Sequence, residues 1–412
     1  MSIFNHILSG RFYVARREYT QHNQIDKRKH ASASAGRREK PTETGRRNDH
    51  ARTERSAAPK RGGDSAPGEN RRAGERAQIK HTSVAWTAAG VAARDWALPV
   101  AVTVETEAQL AEVLKHNAVA LVYLDEACFT DFAALIRRVH AAGKQAGLRL
   151  RRIERDFDAN GRKAENSAEL LSGLWKAERL PDALLVRNLD EAMLLEDFFG
   201  AHPELGARIR RNFDYTVYGY NQEAIQALVS LGADGLTYPI ELTYYECRKL
   251  REKLRSSVHG ADGTRGTNAD AVEGESTPVP AAARAGADAE ADSIGLGELP
   301  FELMIYGHLP MMVSANCIQR TSARCDHGNR ILQLRDRMGK DMPVRCYCTY
   351  CYNQIFNAEP LVLYDLPDEV RALQPQCLRY DFSVEPAAVV RQVLEGAVPR
   401  SMTRGHFRHG IE

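Results

Sequence analysis

Short apolar runs alternate with amphipathic segments from Leu98 onward, and this alternation constrains the fold more than any other feature of the sequence. Thr106 and Gln109 form a capping-box pattern after the first run, which marks the start of a helix. The runs that predict strands, each followed by a segment of helical spacing, are 99–104, 118–124, 148–153, 183–186, 209–213 and 235–238. Six such units in succession favour parallel strands joined by right-handed crossovers, in a barrel or a doubly wound sheet.

We expect the barrel, that is, an α/β chain with a parallel, TIM-barrel-like (β/α) core. Further strands are predicted at 301–306, 359–365 and 378–382, with a short helix after Pro367 and a last helix at 386–395. No GxGxxG or GxxxxGKS pattern follows any predicted strand. A dinucleotide site or a P-loop nucleotide site is therefore disfavoured.

Two segments lack the alternating pattern. Residues 1–85 are rich in Arg, Ala, Gly and Ser, and residues 256–298 are rich in Gly, Ala, Asp and Pro, so neither can bury enough apolar surface to offset its ordering entropy. The predicted organisation is a disordered basic tail (1–85), a barrel-like region (86–255), a low-complexity insertion (256–298), a cysteine-rich segment that completes the barrel (299–372) and a C-terminal strand, helix and tail (373–412).

Charge is distributed unevenly along the chain. Residues 1–80 hold 19 basic and 9 acidic side chains, a net charge of +10, whereas residues 81–412 hold 37 and 45, a net charge of −8. The tail is interpreted either as a nucleic-acid-binding arm or as a solvated segment without a partner. No apolar stretch is long enough to span a membrane, and the start lacks a signal-peptide pattern, so we expect a cytoplasmic protein with no membrane partner.

Five of the eight cysteines fall within 317–351, in the spacing C-x7-C, twenty residues, then C-x-C-x2-C. In a reducing compartment such a group indicates metal binding rather than disulfides. A pair such as Cys348 and Cys351 brings two thiolates to one metal from a tight turn, and a distant pair completes a four-thiolate site. The residues alone leave an iron–sulfur cluster, a zinc ion and free thiols open. A four-iron cluster tolerates the irregular spacing better, because its corners are farther apart than the ligands of one ion.

Five cysteines compete for four places in such a site. We expect Cys346 and Cys348 to point to opposite faces of an extended run, so that only one of them joins Cys351. Cys348 is preferred, because its two-residue spacing to Cys351 suits a shared turn. Elsewhere in the chain, Cys128, Cys247 and Cys377 lie in or beside predicted elements and are interpreted as small buried apolar side chains.

The sequence resembles the collagenase-like peptidase family U-thirty-two, whose signature is a glutamate, a short apolar run, a glycine and two cysteines ahead of an L-x-D-R-x-G segment. The matching positions are Glu302, Gly307, Cys317, Leu334, Asp336, Arg337, Gly339, Cys348 and Cys351. The resemblance extends upstream to Asp214, Asn221, Glu241 and Glu246 and downstream to 378–385, so it covers most of 98–400 apart from the insertion.

Two departures from the family pattern shape the expected site. Pro310 stands where the family commonly has its first cysteine, so the resemblance implies Cys325 as a compensating ligand. The implied set holds one [4Fe–4S] cluster, with zinc as the alternative, through Cys317, Cys325, Cys348 and Cys351. The chain also looks like the C-terminal barrel of the long family members, so a missing N-terminal barrel or another protein is an expected partner.

The resemblance implies an iron–sulfur-dependent, oxygen-independent hydroxylase that acts on RNA, similar to the enzymes that modify a cytidine of ribosomal RNA with prephenate as the oxygen donor. The family label leaves a collagenase-like peptidase of unknown catalytic type as the alternative. A non-catalytic, metal-stabilised binding module is the third hypothesis. The sequence has no GxSxG or HExxH motif and no convincing Cys–His pair, which offers the peptidase no nucleophile.

The catalytic residues are not identified by these motifs, and Glu302, His308 and Asp336 are the candidates for acid–base or substrate-binding roles. For Glu302 and Asp336 the alternative is a structural ion pair with Arg337 or Arg345.

Three tyrosines, Tyr347, Tyr350 and Tyr352, surround the cysteine turn. They are expected either to stack on a base or ring of the substrate or to pack around a buried cluster. Gly307 is expected to allow a close backbone approach near the cluster.

Overall fold

Eight parallel strands form a closed barrel at the centre of the fold, in a computed structural model that describes residues 85–87, 90–259, 295–321 and 325–410. Pairing of Leu236 with Phe301 and of Leu378 with Val100 closes the ring. The barrel strands are β1 (Val100–Val104), β2 (Val119–Asp125), β3 (Gln145–Arg149), β4 (Ala183–Val186), β5 (Arg210–Phe213), β6 (Gly235–Thr237), β7 (Phe301–Gly307) and β13 (Cys377–Asp381). The predicted TIM-barrel-like α/β fold is confirmed.

Helices lie between successive barrel strands and cover the outside of the barrel. Thr106 and Gln109 form the predicted capping box, with each side chain bonded to the other residue's backbone N–H, at the start of the first helix. The helices are α1 (Glu107–Val113), α2 (Phe132–Ala141), α3 (Ser167–Lys176), α4 (Leu189–Ala201), α5 (Pro203–Gly206), α6 (Gln222–Ser230), α7 (Tyr244–His259), α8 (Ile318–Thr321), α9 (Pro367–Ala372) and α10 (Ala387–Leu394). In the part of the chain that is described, none of these helices is both long and apolar enough to cross a membrane.

The core has two parts, because side chains alternate along each strand. In β1, Val100, Val102 and Val104 point outward and pack against the helices, whose apolar faces include the predicted positions of α2, Phe132, Leu135, Ile136 and Val139. A smaller cluster fills part of the barrel interior and consists of Ala101, Leu121, Tyr123, Ala183 and Leu185.

Strand β3 lies a few residues before its predicted position of 148–153. Its residues Gln145 to Gly147 have low β-propensity, so the pattern gave no local signal for a strand. Gly147 is required there because a Cβ atom would lie 2.4 Å from the ring of Tyr123 on the neighbouring strand. Ile153 instead packs against the tyrosines of the cysteine-rich segment. A tertiary contact therefore determined the position of this strand.

A four-stranded antiparallel sheet, here called the cysteine sheet, is inserted after β7. Its strands are β8 (Pro310–Ser314), β9 (Ile331–Arg335), β10 (Asp341–Tyr347) and β11 (Tyr352–Phe356), in the order β9-β10-β11-β8. The strand predicted at 359–365 is only the two-residue β12 (Leu361–Val362), which pairs antiparallel with β7.

The predicted tail lies outside the described residues apart from Ala85, and most of the predicted insertion lies outside them as well. Helix α7 was expected to end at Lys253 but continues to His259, so the first residues assigned to the insertion are helical. At the other end of the barrel region, Trp86–Thr87 pairs antiparallel with Val398–Pro399.

Candidate functional site

Nine charged side chains lie buried at the barrel, most of them towards its carboxyl end, and are linked to one another by ion pairs. Each contacts at least one partner of opposite charge, and most sit at or just after the end of a strand. This group, here called the mouth network, consists of Glu105, Asp125, Arg149, Arg187, Asp214, Glu302, Arg345, Arg379 and Asp381. Carboxyl ends of barrel strands are where TIM-barrel enzymes carry their chemistry, so this is the candidate active site.

Arg379 is the centre of one half of the mouth network and is fully buried. Its Nη2 atom lies 2.7 Å from Asp214 Oδ1, its Nη1 atom 2.5 Å from Glu302 Oε1, and its Nε atom 2.8 Å from Asp381 Oδ1. Burial alone would raise the pKa of Asp214, but Arg379 and Arg187 outweigh it and lower that pKa. Burial raises the pKa of Glu302 despite its contact with Arg379. Glu302 is therefore the more easily protonated of the two carboxylates.

Glu105 is the centre of the other half and joins the barrel to the cysteine sheet. It pairs with Arg149 of β3 and, through Oε2 at 3.2 Å, with Nε of Arg345 of β10. The hydroxyl of Tyr347, also on β10, donates to Glu105 Oε1 at 3.0 Å. Burial raises the pKa of Glu105, while Arg149 and Arg345 lower it in part. Arg345 and Tyr347, two positions apart on β10, thus both contact the carboxylate of Glu105 at the barrel mouth.

Further contacts hold the turn between β10 and β11 against the barrel. The guanidinium of Arg151 lies 4.6 Å from the centre of the Tyr350 ring, and the backbone N–H of Ala159 donates to the carbonyl of Thr349 at 2.7 Å. Tyr347 stacks on Tyr352 with ring centres 4.8 Å apart. The cysteine sheet is therefore packed on the mouth of the barrel.

The five clustered thiols influence one another electrostatically. Burial raises the pKa of the Cys348 thiol, and the thiols of Cys346, Cys317, Cys325 and Cys351 contribute to the resulting value of about 12. Burial also raises the pKa of Cys346, with Cys317 and Cys325 again among the neighbours. The fold thus gathers into one region the cysteines that are spread over 35 positions of the sequence.

The expectation that Cys346 and Cys348 point to opposite faces is wrong. Both flank Tyr347, Cys346 within β10 and Cys348 as the first residue of the turn after it, and both thiols interact with those of Cys317 and Cys325. Cys346 and Cys348 therefore face the same group of thiols, and the structure offers five sulfur atoms rather than four. The predicted turn is present, since Cys351 adopts a left-handed φ of 54° between β10 and β11.

Backbone and side-chain groups around the thiols restrict their positions. The N–H of Cys348 donates to Asn329 Oδ1 at 2.7 Å, and its thiol donates to the carbonyl of Gly328 at 3.1 Å. Among the described residues, no group of three or more His, Cys, Asp or Glu side chains has the spacing that a single metal ion needs. The all-sulfur donor set fits an iron–sulfur cluster, whose ligands lie farther apart than those of one ion.

The three catalytic candidates lie in different surroundings. Glu302 belongs to the mouth network, and its ion-pair partner is Arg379 rather than the expected Arg337 or Arg345. His308 follows β7; its Nδ1 atom lies 2.8 Å from the carbonyl oxygen of Asn357, and its Nε2 atom 3.8 Å from Glu385 Oε1.

Asp336 lies at the hairpin between β9 and β10. Its carboxylate accepts from the backbone N–H groups of Met338 and Lys340, both at 2.8 Å. These are the contacts of a turn-forming residue, so the geometry assigns it a structural role rather than a catalytic one.

The tyrosines around the cysteine turn contact protein groups, as the packing alternative expects, and Tyr347, Tyr350 and Tyr352 are all buried. Gly307 also has a role different from the one expected. A Cβ atom on Gly307 would lie 2.9 Å from Asp381, so the close approach is to strand β13 rather than to the cysteines.

The other three cysteines pack against apolar clusters, as expected, and all have raised pKa values. Cys247 is a buried residue of α7, and burial is the main reason that its pKa is raised to about 12. Burial also raises the pKa of Cys128, which lies near Glu105, and of Cys377. None of these three thiols is activated as a nucleophile.

Most of the mouth network was missed at the sequence level. Asp214 and Glu302 were found only through the family resemblance, and Arg149, Arg187 and Arg379 were not singled out. The available signal was a charged residue at the end of an apolar strand run, as in Arg187 directly after Ala183–Val186. In a barrel such positions converge, so this signal is informative once the fold is known.

Comparisons with known proteins give only distant matches. No protein-family model and no curated protein matches the chain. Among solved structures, the spore cortex-lytic enzyme SleL from Bacillus cereus is 7% identical over 74% of this chain and 75% of that chain, with a TM-score of 0.35. A chitinase from Rhizomucor miehei is 10% identical over 72% and 99%, with a TM-score of 0.28. The glycerol uptake operon antiterminator regulatory protein from Listeria monocytogenes is 14% identical over 39% and 77%, with a TM-score of 0.26. Similarities this low carry no argument about function.

Proposed function

We propose that this protein is an iron–sulfur-dependent, oxygen-independent hydroxylase whose reaction takes place at the carboxyl end of the barrel. The observation that carries the proposal is the position of the thiols on the cysteine sheet. Cys346 and Cys348 flank Tyr347, and Tyr347 and Arg345 contact Glu105 of the mouth network. A redox group on the sheet would therefore be held by residues adjacent in the chain to Arg345 and Tyr347, on the side of the strand that faces away from Glu105.

The ligands of the proposed [4Fe–4S] cluster are Cys317, Cys325, Cys348 and Cys351, with Cys346 as a fifth thiol in the same group. When bound, such a cluster supplies single electrons at low potential. A zinc ion is the alternative, and the C-x7-C spacing of Cys317 and Cys325 suits it less well, because structural zinc sites usually use two short Cys–Cys spacings.

The mouth network supplies the polar environment for the reaction. Its five carboxylates face four guanidinium groups, all removed from solvent, so charges at this site are fixed by the protein rather than by water. Glu302, with its raised pKa, is the group suited to hold and transfer a proton. Arg379 orients it through the 2.5 Å contact.

Hydroxylation without molecular oxygen requires a donor of the oxygen atom. The substrate carbon gains one oxygen atom and loses two electrons, and the donor loses that oxygen atom and gains the two electrons. The family resemblance suggests prephenate as this donor. It also suggests a base of ribosomal RNA as the substrate, and the 19 basic side chains of residues 1–80 supply a segment able to contact phosphates.

The peptidase alternative has less support. It needs an activated nucleophile, and burial raises the pKa of the thiols of Cys128, Cys247 and Cys377. In the binding-module alternative the metal only stabilises the sheet, and the mouth network then has no catalytic role.

The first test is anaerobic purification of the full chain with iron, sulfide and zinc analysis and a visible spectrum. We expect about four irons and four sulfides per chain and a broad absorbance near ~400 nm. Cys351→Ala should lose the iron, whereas Cys247→Ala, a matched change in a buried thiol of α7, should keep it. One zinc per chain without sulfide would remove the redox mechanism.

Single alanine variants of Cys346 and Cys348 then determine which of the two is a ligand. Loss of iron in Cys348→Ala alone supports the proposed set, whereas loss of iron in Cys346→Ala alone would show that Cys346 is the ligand in place of Cys348.

Binding of RNA is tested separately by comparing the full chain with a variant lacking residues 1–80. We expect weaker binding and a shallower dependence on salt without the tail, because fewer counterions are released. Equal affinities would contradict a role for the tail in RNA binding.

A further inference from the structure

The amino-terminal end of the barrel interior is lined by small side chains. Strands β2, β4, β6 and β13 contribute Leu121, Ala183, Gly235 and Cys377 there. In most TIM barrels such a layer is filled by bulky branched side chains. Here a cavity of about 520 Å³ enters the barrel from its amino-terminal face, and its lining includes Glu302 of the mouth network.

The hydroxyl of Tyr123 forms no hydrogen bond with any described residue. Tyr123 lines the cavity, is 2% exposed and packs its ring against Gly147. A hydroxyl in the lining without a protein partner is available to a ligand. Glu302 lines the same cavity as Tyr123.

Glu302 offers an acceptor beside this donor. Its Oε1 atom accepts from Arg379 at 2.5 Å, from Asn212 at 3.3 Å and from Thr237 at 3.4 Å. No donor to its Oε2 atom is present among the described residues. Since Glu302 also lines the cavity, a ligand hydroxyl at this end would accept from Tyr123 and donate to Glu302.

The rim of the cavity carries one cation whose charge is not balanced by a carboxylate within the described ranges. Arg210 is exposed and donates only to Gln145 Oε1, at 2.9 Å. By contrast, Arg211 pairs with Asp234 at 3.2 Å, and Lys144 donates to two backbone carbonyls. A ligand carboxylate at the rim would therefore meet Arg210.

The walls between the rim and the inner end are apolar. Leu121 and Ala183 are buried, belong to the interior cluster and line the cavity. We propose that this cavity binds a small aromatic carboxylate of one ring, with a hydroxyl between Tyr123 and Glu302, the ring against Leu121 and Ala183, and the carboxylate at Arg210. This site shares Glu302 with the mouth network, but it does not depend on the proposed hydroxylase function, because its other contacts use neither the cysteines nor the carboxyl end of the barrel.

The test uses ligand-observed NMR on the full chain with three matched probes. 4-Hydroxyphenylacetate has all three features, phenylacetate lacks the hydroxyl, and tyramine replaces the carboxylate with an amine. We expect 4-hydroxyphenylacetate to bind at millimolar concentrations, and each of the other two to bind roughly 5- to 10-fold more weakly, the effect of one lost hydrogen bond or ion pair.

Variants assign each contact to a residue. Tyr123→Phe should lower the affinity for 4-hydroxyphenylacetate to that for phenylacetate and leave phenylacetate unchanged. Arg210→Gln should weaken both acids but not tyramine, whereas Arg208→Gln, an exposed arginine two positions earlier that does not line this cavity, should change nothing.

Ala183→Leu fills the cavity and should abolish binding, with thermal unfolding as the check that it folds. The proposal is overturned if 4-hydroxyphenylacetate does not bind the wild type, or if folded Ala183→Leu or Tyr123→Phe binds it unchanged. Iron content should be the same in all these variants, so failure of this site and failure of the cluster proposal are separate results.

Discussion

The two ends of the barrel interior are built from opposite kinds of side chain, although the same eight strands form both. The carboxyl end holds most of the nine buried charged groups of the mouth network, whereas the amino end holds small apolar residues such as Ala101, Ala183 and Cys377. Buried charges are stable only while each keeps its partners, so the carboxyl end should tolerate little change. The amino end has free volume, so its response depends on whether a substitution fits the space. Stability therefore depends on intact ion pairs at the carboxyl end and on side-chain volume at the amino end.

The largest effect is expected from Arg379→Met at the carboxyl end. Asp214, Glu302 and Asp381 would lose their shared guanidinium and remain buried, which should lower the free energy of unfolding by about 3–5 kcal/mol. Urea denaturation measures this change. The control is Arg210→Met at the amino end, which is exposed and should cost under about 0.5 kcal/mol. Similar losses in the two variants would remove the distinction between the ends.

A smaller effect is expected from Gly147→Ala at the amino end. The new Cβ atom would lie 2.4 Å from the Tyr123 ring, so we expect a loss of about 1–3 kcal/mol from overpacking. Tyr123→Leu should recover much of this loss in the double variant, because the smaller side chain leaves room. The measurement is a double-mutant cycle by urea denaturation, and additive losses would contradict a steric cause.

The contact between the barrel mouth and the cysteine sheet is tested by Tyr347→Phe. This change removes only the hydrogen bond to Glu105, so we expect a loss of about 1 kcal/mol. Iron content after anaerobic purification should stay near the wild-type value, since no thiol is altered. Tyr352→Phe keeps the ring stacked on Tyr347 and serves as the control. If both variants have wild-type stability, the Tyr347 hydroxyl does not stabilise the sheet on the barrel.

The smallest effect concerns pH and a carboxylate beside the mouth. Burial raises the pKa of Glu154 from 4.5 to about 8, and its hydrogen bond with Glu191 adds to this. As the pH rises, the unfolded chain loses the Glu154 proton near pH 4.5, whereas the folded protein keeps it until about pH 8. The contribution of Glu154 to stability therefore falls between these two pH values. Because Glu154 is partly screened by solvent, we expect a loss of about 1 kcal/mol or less.

Glu154→Gln should reduce this decline, since an amide does not titrate. The measurement is urea denaturation of the wild type and the variant across pH 6 to 9. Glu196→Gln, at an exposed position of α4, should retain the wild-type pH dependence. A decline of equal size in Glu154→Gln would show that Glu154 is not its source.

Local patterns in the sequence were sufficient for most elements of the barrel. The predicted strand at 183–186 and the capping box at Thr106 agree with the structure, because both are determined by neighbouring residues. The position of strand β3 was predicted wrongly, because Gly147 is required by its contact with Tyr123 on another strand. The antiparallel strands of the cysteine sheet were not predicted, because the cysteines and the L-x-D-R-x-G segment obscure the alternation there.

The sequence by itself determined the barrel class and the identity of the clustered cysteines, because apolar periodicity and spacing are local properties. Only the tertiary structure decided which charged groups meet. Arg379 and Asp214 are 165 positions apart, and Arg345 and Glu105 are 240 apart. Closure of the barrel and packing of the cysteine sheet bring these pairs together. The physical reason is that ion pairs and cavities depend on distances between remote segments, which no local pattern of residues specifies.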